Sequence, residues 1–544
     1  MKIALAQINT TVGDIFGNRD RAIREMERAR TSGADLVVFP ELCLTGYPPR
    51  DLMGLHGFVD SNLEALRQIA AHTGGLGAVI GFVDRNRRDR GRDFHNAAAF
   101  IAEGEIRAVI HKTLLPSYDV FDEDRYFEPA DRLQLVPFRG RTLGISICED
   151  AWNGEDFWPR PLHASNPVRD QVEQGADLLI NIAASPYEMT KLKIRHQMLK
   201  NHALRSGVPL VYVNLVGGND DLLFDGTSLV IGSAGNLVAR GKRFSEDLVI
   251  ADPDSENDLP LGEGEPAENL FEALVMGTRD YIRKCGFTSA ALGLSGGIDS
   301  AVVACIAAKA LGPGNVLGVS MPSMYSARES YEDARALARN LGIRFEVVPI
   351  PPMYEAFKQS LAGIFAGHPE NTTEENLQAR IRGTLLMALS NKFGTMVLAT
   401  GNKSEIGAGY CTLYGDMAGG LAVISDVPKT LVYALAAHIN LGKEIIPPNT
   451  IRRPPTAELK PGQLDQDILP EYDVLDGILR LRVEQQMSVD EIVASGYDRE
   501  TAEKVVRMIH TNEYKRRQAA MGLKVTTRAF GSGRRMPVAM RLNY

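Results

Sequence analysis

Gly293-Leu294-Ser295-Gly296-Gly297-Ile298-Asp299-Ser300 limits what this chain can fold into more than any other stretch. An apolar run, Ala290-Ala291-Leu292, leads into it, and a small-residue, helix-favouring run from Ala301 to Ala310 leads out. The pattern is strand, glycine turn, helix. It aims several backbone N–H groups and the positive end of a helix dipole at one point, which is an anion site. Gly296 and Gly297 let the backbone approach an anion without a Cβ in the way. Ser295 and Ser300 add hydroxyls, and Asp299 adds a carboxylate able to hold a metal. The Lys-Ser/Thr ending of a P-loop and the Gly-x-Gly-x-x-Gly spacing of dinucleotide folds are both missing.

The Ser-Gly-Gly-x-Asp-Ser core resembles the pyrophosphate loop of the ATP-pyrophosphatase superfamily. That resemblance implies ATP bound by Gly293, Leu294, Ser295, Gly296, Gly297, Ile298, Asp299 and Ser300. It also implies cleavage between the α and β phosphates, with AMP passed to an acid or carbonyl oxygen.

Around this loop, strands alternate with helices along most of the chain. In the first half, strands are expected at Ile3–Ile8, Asp35–Glu41, Gly77–Val83, Asn96–Ile101, Ile106–His111, Thr142–Cys148, Ala176–Ala183 and Leu210–Leu215. Helices are expected at Asn18–Arg30, Ser61–Ala71 and Lys191–Ser206. Residues 253–266 are acidic and rich in Pro and Gly, and read as a linker. The second half alternates again: strands at Val316–Met321, Arg344–Val348 and Thr395–Thr400, helices at Ala327–Leu341 and Glu374–Lys392. Helical stretches then close the chain. The expectation is a layered α/β domain over residues 1–252 and a doubly wound parallel-sheet α/β domain over 267–544. Ligands of such an open sheet bind beyond the carboxyl ends of its strands.

At 544 residues the chain exceeds one ordinary core. A net charge of −8 argues against nucleic acid as main partner, and no apolar run is long enough for a membrane span. Five widely spaced cysteines do not form a disulfide framework, which favours the cytoplasm.

Three stretches of the first half carry chemistry. Phe39-Pro40-Glu41 places a carboxylate, His111-Lys112-Thr113 an ammonium, and Ile147-Cys148-Glu149-Asp150 a thiol, each at a strand end. A thiol with a base and a cation nearby suits acyl transfer through a thioester. Together with Ala6-Gln7, His95-Asn96-Ala97 and Cys148-Glu149, these residues resemble the nitrilase family of amidases. The resemblance implies an α-β-β-α sandwich, with Glu41 as general base, Cys148 as nucleophile and Lys112 stabilising the tetrahedral intermediate. Likeness to the glutaminase versions implies L-glutamine as substrate, held by Tyr118, Ser185 and Lys191. Asp122-Glu123-x-Arg125-Tyr126-Phe127 also resembles those versions; the alternative for its charges is an exposed surface loop.

In the second half, Asp299 and Glu405 are the candidate magnesium ligands, since this ion takes one or two carboxylates and completes its shell with phosphate oxygens. Thr400, at a strand end, lies within reach of a nucleotide. Four further segments resemble NAD synthetases: Glu375-Asn376-Leu377-Gln378-Ala379-Arg380, Thr400-Gly401-Asn402-Lys403-Ser404-Glu405, Tyr414-Gly415-Asp416 and Pro454-Pro455-Thr456-Ala457-Glu458. The likeness implies an adenine-nucleotide α-hydrolase-like fold, with ATP and deamido-NAD as substrates. Asn376, Glu405 and Lys515 are implied in deamido-NAD binding. It also implies a homodimer through the second domain, or a larger homo-oligomer. A basic stretch from Lys504 to Arg541 reads mostly as surface charge. Ammonium has no lone pair to attack an adenylate, so a shielded ammonia passage between the two chemistries is expected.

Two other readings compete. One is a different adenylating amidotransferase, and the Glu-Asn-Leu-Gln-Ala-Arg stretch is out of place there. The other is a ligand-sensing ATP module, which the intact Ser295, Asp299, Ser300 and Glu405 disfavour.

Overall fold

The computed structural model describes residues 1–154, 160 and 162–542. The chain divides into two compact units, Met1–Gly264 and Glu265–Tyr544.

The first unit contains two six-stranded sheets. One runs in the order Asp247–Ala251, Ile3–Gln7, Leu36–Val38, Gly77–Arg85, Phe94–Ala102, Glu105–His111. The other runs Leu237–Arg240, Leu229–Ile231, Leu210–Asn214, Leu178–Ala183, Arg141–Ile147, Leu135–Phe138. Period-two patterning decides which side chains face where. Ile3 and Leu5 of the first strand join Ile145, Ile180 and Val211 in one core between the sheets. Ala4 and Ala6, on the opposite face, pack with Ala22, Met26, Leu66 and Ile69 of the helices Ile15–Thr31 and Phe58–Ala70. Val168 and Met198, from the helices Pro167–Glu173 and Lys191–Ser206, complete the core on the second sheet. The result is an α-β-β-α sandwich.

The second unit is built on a five-stranded, all-parallel sheet in the order Arg344–Val347, Val316–Ser320, Ala290–Gly293, Met396–Ala399, Leu421–Ala422. The chain winds outward in one direction from Ala290–Gly293 and then returns to its other side with Met396–Ala399. The crevice at that reversal is where open α/β sheets bind ligands. The glycine loop leaves one of these two strands and Thr400–Glu405 leaves the other. Helix Ile298–Leu311 is apolar on nearly every face and almost wholly buried, which fixes the loop rigidly. The C-terminal helices, from Tyr472–Leu479 to Arg499–Thr511, form a core of their own.

Several expectations shift. The strand expected over Asp35–Glu41 is only Leu36–Val38, so Glu41 lies on the following turn. The strand expected to end at Cys148 stops at Ile147, and Cys148 opens a 3-10 turn with φ +43°. The acidic linker is a strap rather than a loose spacer. Leu259 N–H donates to Leu237 O at 2.8 Å, Asp258 accepts the Leu237 N–H at 3.0 Å, and Glu263 pairs with Lys193 at 2.7 Å. Helices Pro351–Leu361 and Lys429–Ile439 were not anticipated.

Candidate active sites

In the first unit Glu41, Lys112 and Cys148 each follow the carboxyl end of a strand, and all three are buried. Lys112 Nζ donates to Glu41 Oε1 at 2.7 Å. The other Glu41 oxygen accepts the Ala184 N–H at 2.8 Å, and Asn96 Nδ2 donates to Oε1 at 2.7 Å. The carboxylate is thereby fixed in orientation before any substrate arrives.

A second carboxylate, Glu123, accepts from the same ammonium at both of its oxygens, 2.8 Å each. It also accepts from Tyr47 Oη at 2.8 Å and from Asn96 at 3.3 Å. Burial works against the Lys112 ammonium, but Glu123 and Glu41 outweigh it and hold its pKa well above the ordinary lysine range. Burial also drives the Glu123 carboxyl upward, against the pull of Lys112. The sequence does not single out Glu123, because a glutamate among Asp122, Asp124 and Arg125 reads as solvated. The only available signal was its place in the Asp-Glu-x-Arg-Tyr-Phe segment.

Cys148 sits beside this cluster. Burial pushes its thiol well above the usual range, Glu41 adds to the rise and Lys112 opposes it. The resting group is therefore a thiol, and it needs a base to become a nucleophile. Asp150 fastens its turn: one carboxylate oxygen accepts the Ile147 N–H at 2.9 Å, and the other accepts those of Thr113 and Leu114 at 3.0 and 2.8 Å. Burial lifts the Asp150 carboxyl to about 6 despite these bonds.

The three residues implied in glutamine binding surround the Cys148 turn. Tyr118 donates its hydroxyl to Glu149 Oε2 at 2.9 Å. Ser185 is buried next to Ala184, the residue bound to Glu41. Lys191 Nζ lies 5.1 Å from the centre of the Trp152 ring.

In the second unit a cavity of about 320 Å³ opens at the crevice. The whole of Gly293–Ser300 lines it, together with Thr400 and Glu405. Gly296 has φ +83°, and a Cβ there would lie 2.3 Å from the Ser330 carbonyl oxygen, so only glycine fits. Ser300 Oγ donates to Gly297 O at 3.0 Å, and Ser295 Oγ accepts the Gly297 N–H at 3.2 Å, which shapes the loop from within.

The two candidate metal ligands converge on one ammonium, which the sequence reading had missed. Lys429 donates to Asp299 Oδ2, and to Glu405 Oε1 at 3.4 Å. Asn402, the N-cap of helix Lys403–Ala408, accepts the Glu405 N–H at 3.0 Å and donates to Asp299 Oδ1 at 2.9 Å. Burial pushes the Glu405 carboxyl up, the Asp299 charge adds to this, and Lys429 opposes it. Among the described residues no three His, Cys, Asp or Glu side chains form a metal cage. Two adjoining carboxylates beside a phosphate loop do fit a hard divalent cation that takes its remaining ligands from phosphate and water.

Asn376 and Lys515 do not line this cavity. Asn376 Oδ1 accepts from Thr412 Oγ1 at 2.7 Å, and Lys515 donates to the carbonyls of Gly409 and Cys411 at 2.7 and 2.9 Å. Both hold the segment Gly409–Thr412, whose Tyr410 and Cys411 do face the cavity. The C-terminal basic stretch is also less superficial than expected. Arg516 and Arg534 are buried, both paired with Glu513 and both over the Phe530 ring, and Lys524 is buried too.

The carbon-nitrogen hydrolase family matches residues 2–257 and the NAD synthase family residues 270–519. The glutamine-dependent NAD(+) synthetase of Synechocystis sp. is 48% identical over 550 residues, covering 99% of this chain and 98% of that relative. That of Thermotoga maritima is 46% identical over 582 residues, covering 99% of each. The solved structure of glutamine-dependent NAD+ synthetase from Acinetobacter baumannii, in complex with ADP, superposes with a TM-score of 0.77 at 40% identity. It matches 99% of this chain and 98% of its own.

Proposed function

The chain belongs to the glutamine-dependent NAD(+) synthetase family, and from that footing we propose how its two sites divide the reaction. The enzyme is a ligase that forms a carbon–nitrogen bond with glutamine as amido donor. ATP, deamido-NAD, L-glutamine and water yield AMP, pyrophosphate, NAD and L-glutamate.

In the first unit Glu41 takes the Cys148 thiol proton as Sγ attacks the glutamine carboxamide carbon. The Lys112 ammonium steadies the oxyanion that develops. Ammonia leaves with the proton returned by Glu41, and a thioester remains. Glu41 then deprotonates water, which cleaves the thioester and releases glutamate. Tyr118, Ser185 and Lys191 hold the substrate around the Cys148 turn. Glu123 keeps Lys112 charged and aligned, since a buried ammonium is stable only beside compensating carboxylates.

In the second unit the N–H groups of the loop and the start of helix Ile298–Leu311 receive the β and γ phosphates of ATP, with Thr400 on the nucleotide. The nicotinate carboxylate of deamido-NAD attacks the α-phosphorus and pyrophosphate departs. Ammonia then attacks the adenylated carbonyl carbon and AMP departs. Asp299 and Glu405 would hold magnesium, which supplies charge neutralisation on the pyrophosphate. Asn376, Glu405 and Lys515 serve the deamido-NAD side, Asn376 and Lys515 through the segment Gly409–Thr412.

One observation carries this assignment: Asp299 and Glu405, over a hundred positions apart in the chain, meet on one ammonium at the mouth of the glycine loop. We further propose a shielded ammonia passage, a homodimer or larger homo-oligomer through the second unit, and the cytoplasm as compartment. Among the described residues no helix is long and apolar enough to cross a membrane. The test is product analysis with ATP, magnesium, deamido-NAD and either glutamine or ammonium. AMP and pyrophosphate are expected with both nitrogen sources, and Cys148→Ala should lose only the glutamine reaction. ADP as product, or loss of both reactions in Cys148→Ala, contradicts the scheme.

A further inference from the structure

Arg382 lines the nucleotide cavity from helix Thr372–Phe393, and nothing in the reaction scheme has yet used it. Its Nε donates to the Met321 carbonyl at 3.0 Å, just past the end of the strand Val316–Ser320. That bond leaves the two terminal amino groups of the guanidinium without a hydrogen-bond acceptor among the described residues. No carboxylate pairs with it among those residues either, although Glu458 and Asp416 both line the same cavity and favour its charge from farther off. The other cations that line the cavity are differently placed: Lys429 is committed to Asp299 and Glu405, and Arg453 to Asp333 and Glu458.

The position of the guanidinium can be triangulated. Gly293 ends the strand that enters the loop, and a Cβ there would lie 3.3 Å from the Met321 side chain and 3.7 Å from that of Leu386. Leu386 stands one helical turn after Arg382, on the same face of the helix. Arg382 is therefore anchored at Met321, beside the strand end that enters the loop. Its backbone is equally fixed. A Cβ on the neighbouring Gly383 would come within 2.8 Å of the Gly415 and Tyr414 carbonyl oxygens, so the helix is pressed against that turn. Burial also lowers the guanidinium pKa to about 10, as expected of a cation held in a poorly solvated wall without a counter-ion.

We propose that Arg382 binds the α-phosphoryl group of ATP and stays on that phosphate in the adenylate, while the loop and the helix N-terminus hold the departing pyrophosphate. An in-line transfer separates these two anions, and a fork of N–H donors at the loop entry suits the half that remains. The inference rests on the adenylation reading of this cavity.

The test uses the full-length enzyme with ammonium as nitrogen source, comparing Arg382→Gln and Arg382→Lys with wild type. Both are assayed for NAD synthesis and for deamido-NAD-dependent exchange of labelled pyrophosphate into ATP. Arg382→Gln should lower kcat for both by about 100-fold, the usual effect of removing one donor to a developing anion, with KM for deamido-NAD within about threefold of wild type. Arg382→Lys should recover at least about tenfold of the loss, since a cation without the fork restores charge but not geometry. Hydrolysis of glutamine by the same preparations, measured without ATP, should match wild type and shows that the chain is folded. A loss in Arg382→Gln of less than about fivefold, or one confined to KM for deamido-NAD, overturns the proposal. Wild-type enzyme that performs no pyrophosphate exchange overturns the adenylation reading itself, independently of Arg382.

Discussion

Asp150 accepts the backbone N–H of Leu114 at 2.8 Å, so the turn that carries Cys148 is tied to the segment that carries Lys112. The same carboxylate also takes the N–H groups of Thr113 and Ile147. Removing it strands buried donors on both sides of the thiol, at about 1–3 kcal/mol each. Asp150→Ala is expected to lower glutamine-dependent NAD synthesis by at least about 100-fold, because small misplacements of a nucleophile are expensive. Ammonium-dependent synthesis should stay within about twofold of wild type. Initial rates with the two nitrogen sources, run side by side, check this; equal losses in both would count against it.

Glu123→Gln tests the second carboxylate on Lys112. Glutamine retains an acceptor for Tyr47 but removes one charge from a buried pair, which destabilises by about 3–5 kcal/mol when the other partner is left uncompensated. Here Glu41 remains on Lys112 at 2.7 Å, so a smaller loss of stability, near 2 kcal/mol, is expected. The kcat for glutamine hydrolysis should fall by about 10- to 100-fold. Thermal denaturation and steady-state glutaminase assays give the two readings, and an unchanged kcat would remove Glu123 from the mechanism.

Lys429→Met leaves Asp299 and Glu405 facing each other without their shared cation. Synthesis from ammonium should be lost, with glutamine hydrolysis preserved. Magnesium should raise the Tm of this variant more than that of wild type, since the ion binds the folded carboxylate pair and not the unfolded chain. A magnesium response equal to that of wild type would show that the pair does not hold the ion.

His510 gives a pH signature. Burial, with Arg482, Arg534 and Arg516 close by, lowers its pKa from 6.5 to about 4. The unfolded chain therefore takes up a proton that the folded chain refuses between those values. The stability that neutral His510 contributes is fully present above about pH 6.5 and is lost as pH falls towards 4, by roughly 1 kcal/mol after allowance for its partial exposure. His510→Gln should flatten that part of the stability profile. Tm measured from pH 4 to 7 for both proteins decides it, and parallel profiles would refute it.

The sequence carried the fold wherever hydrophobic pattern alone decides the outcome. Lys191–Ser206 forms the helix expected, and the apolar runs from Gly77 to His111 form adjacent antiparallel strands. Short elements such as Leu222–Asp225, which pairs with the adjacent Val216–Asn219 across a two-residue turn, escaped because four residues are too few to show a period. The same distinction runs through the sites. The glycine loop is local, so its shape could be read directly. Glu123 and Lys429 are meaningful only through what they touch, and a charged residue read singly always looks solvated.

The turn at Cys148 sets two demands on one residue. A φ of +43° is a conformation that a side chain occupies at a loss of about 1 kcal/mol and that glycine accepts freely. The backbone at this position favours a residue that has no side chain to do the chemistry. Cys148→Gly would relieve that strain but leave a gap at a buried core position, and the resulting protein would no longer use glutamine. Any thermostabilisation programme for it therefore has to hold this residue fixed and seek its gains elsewhere.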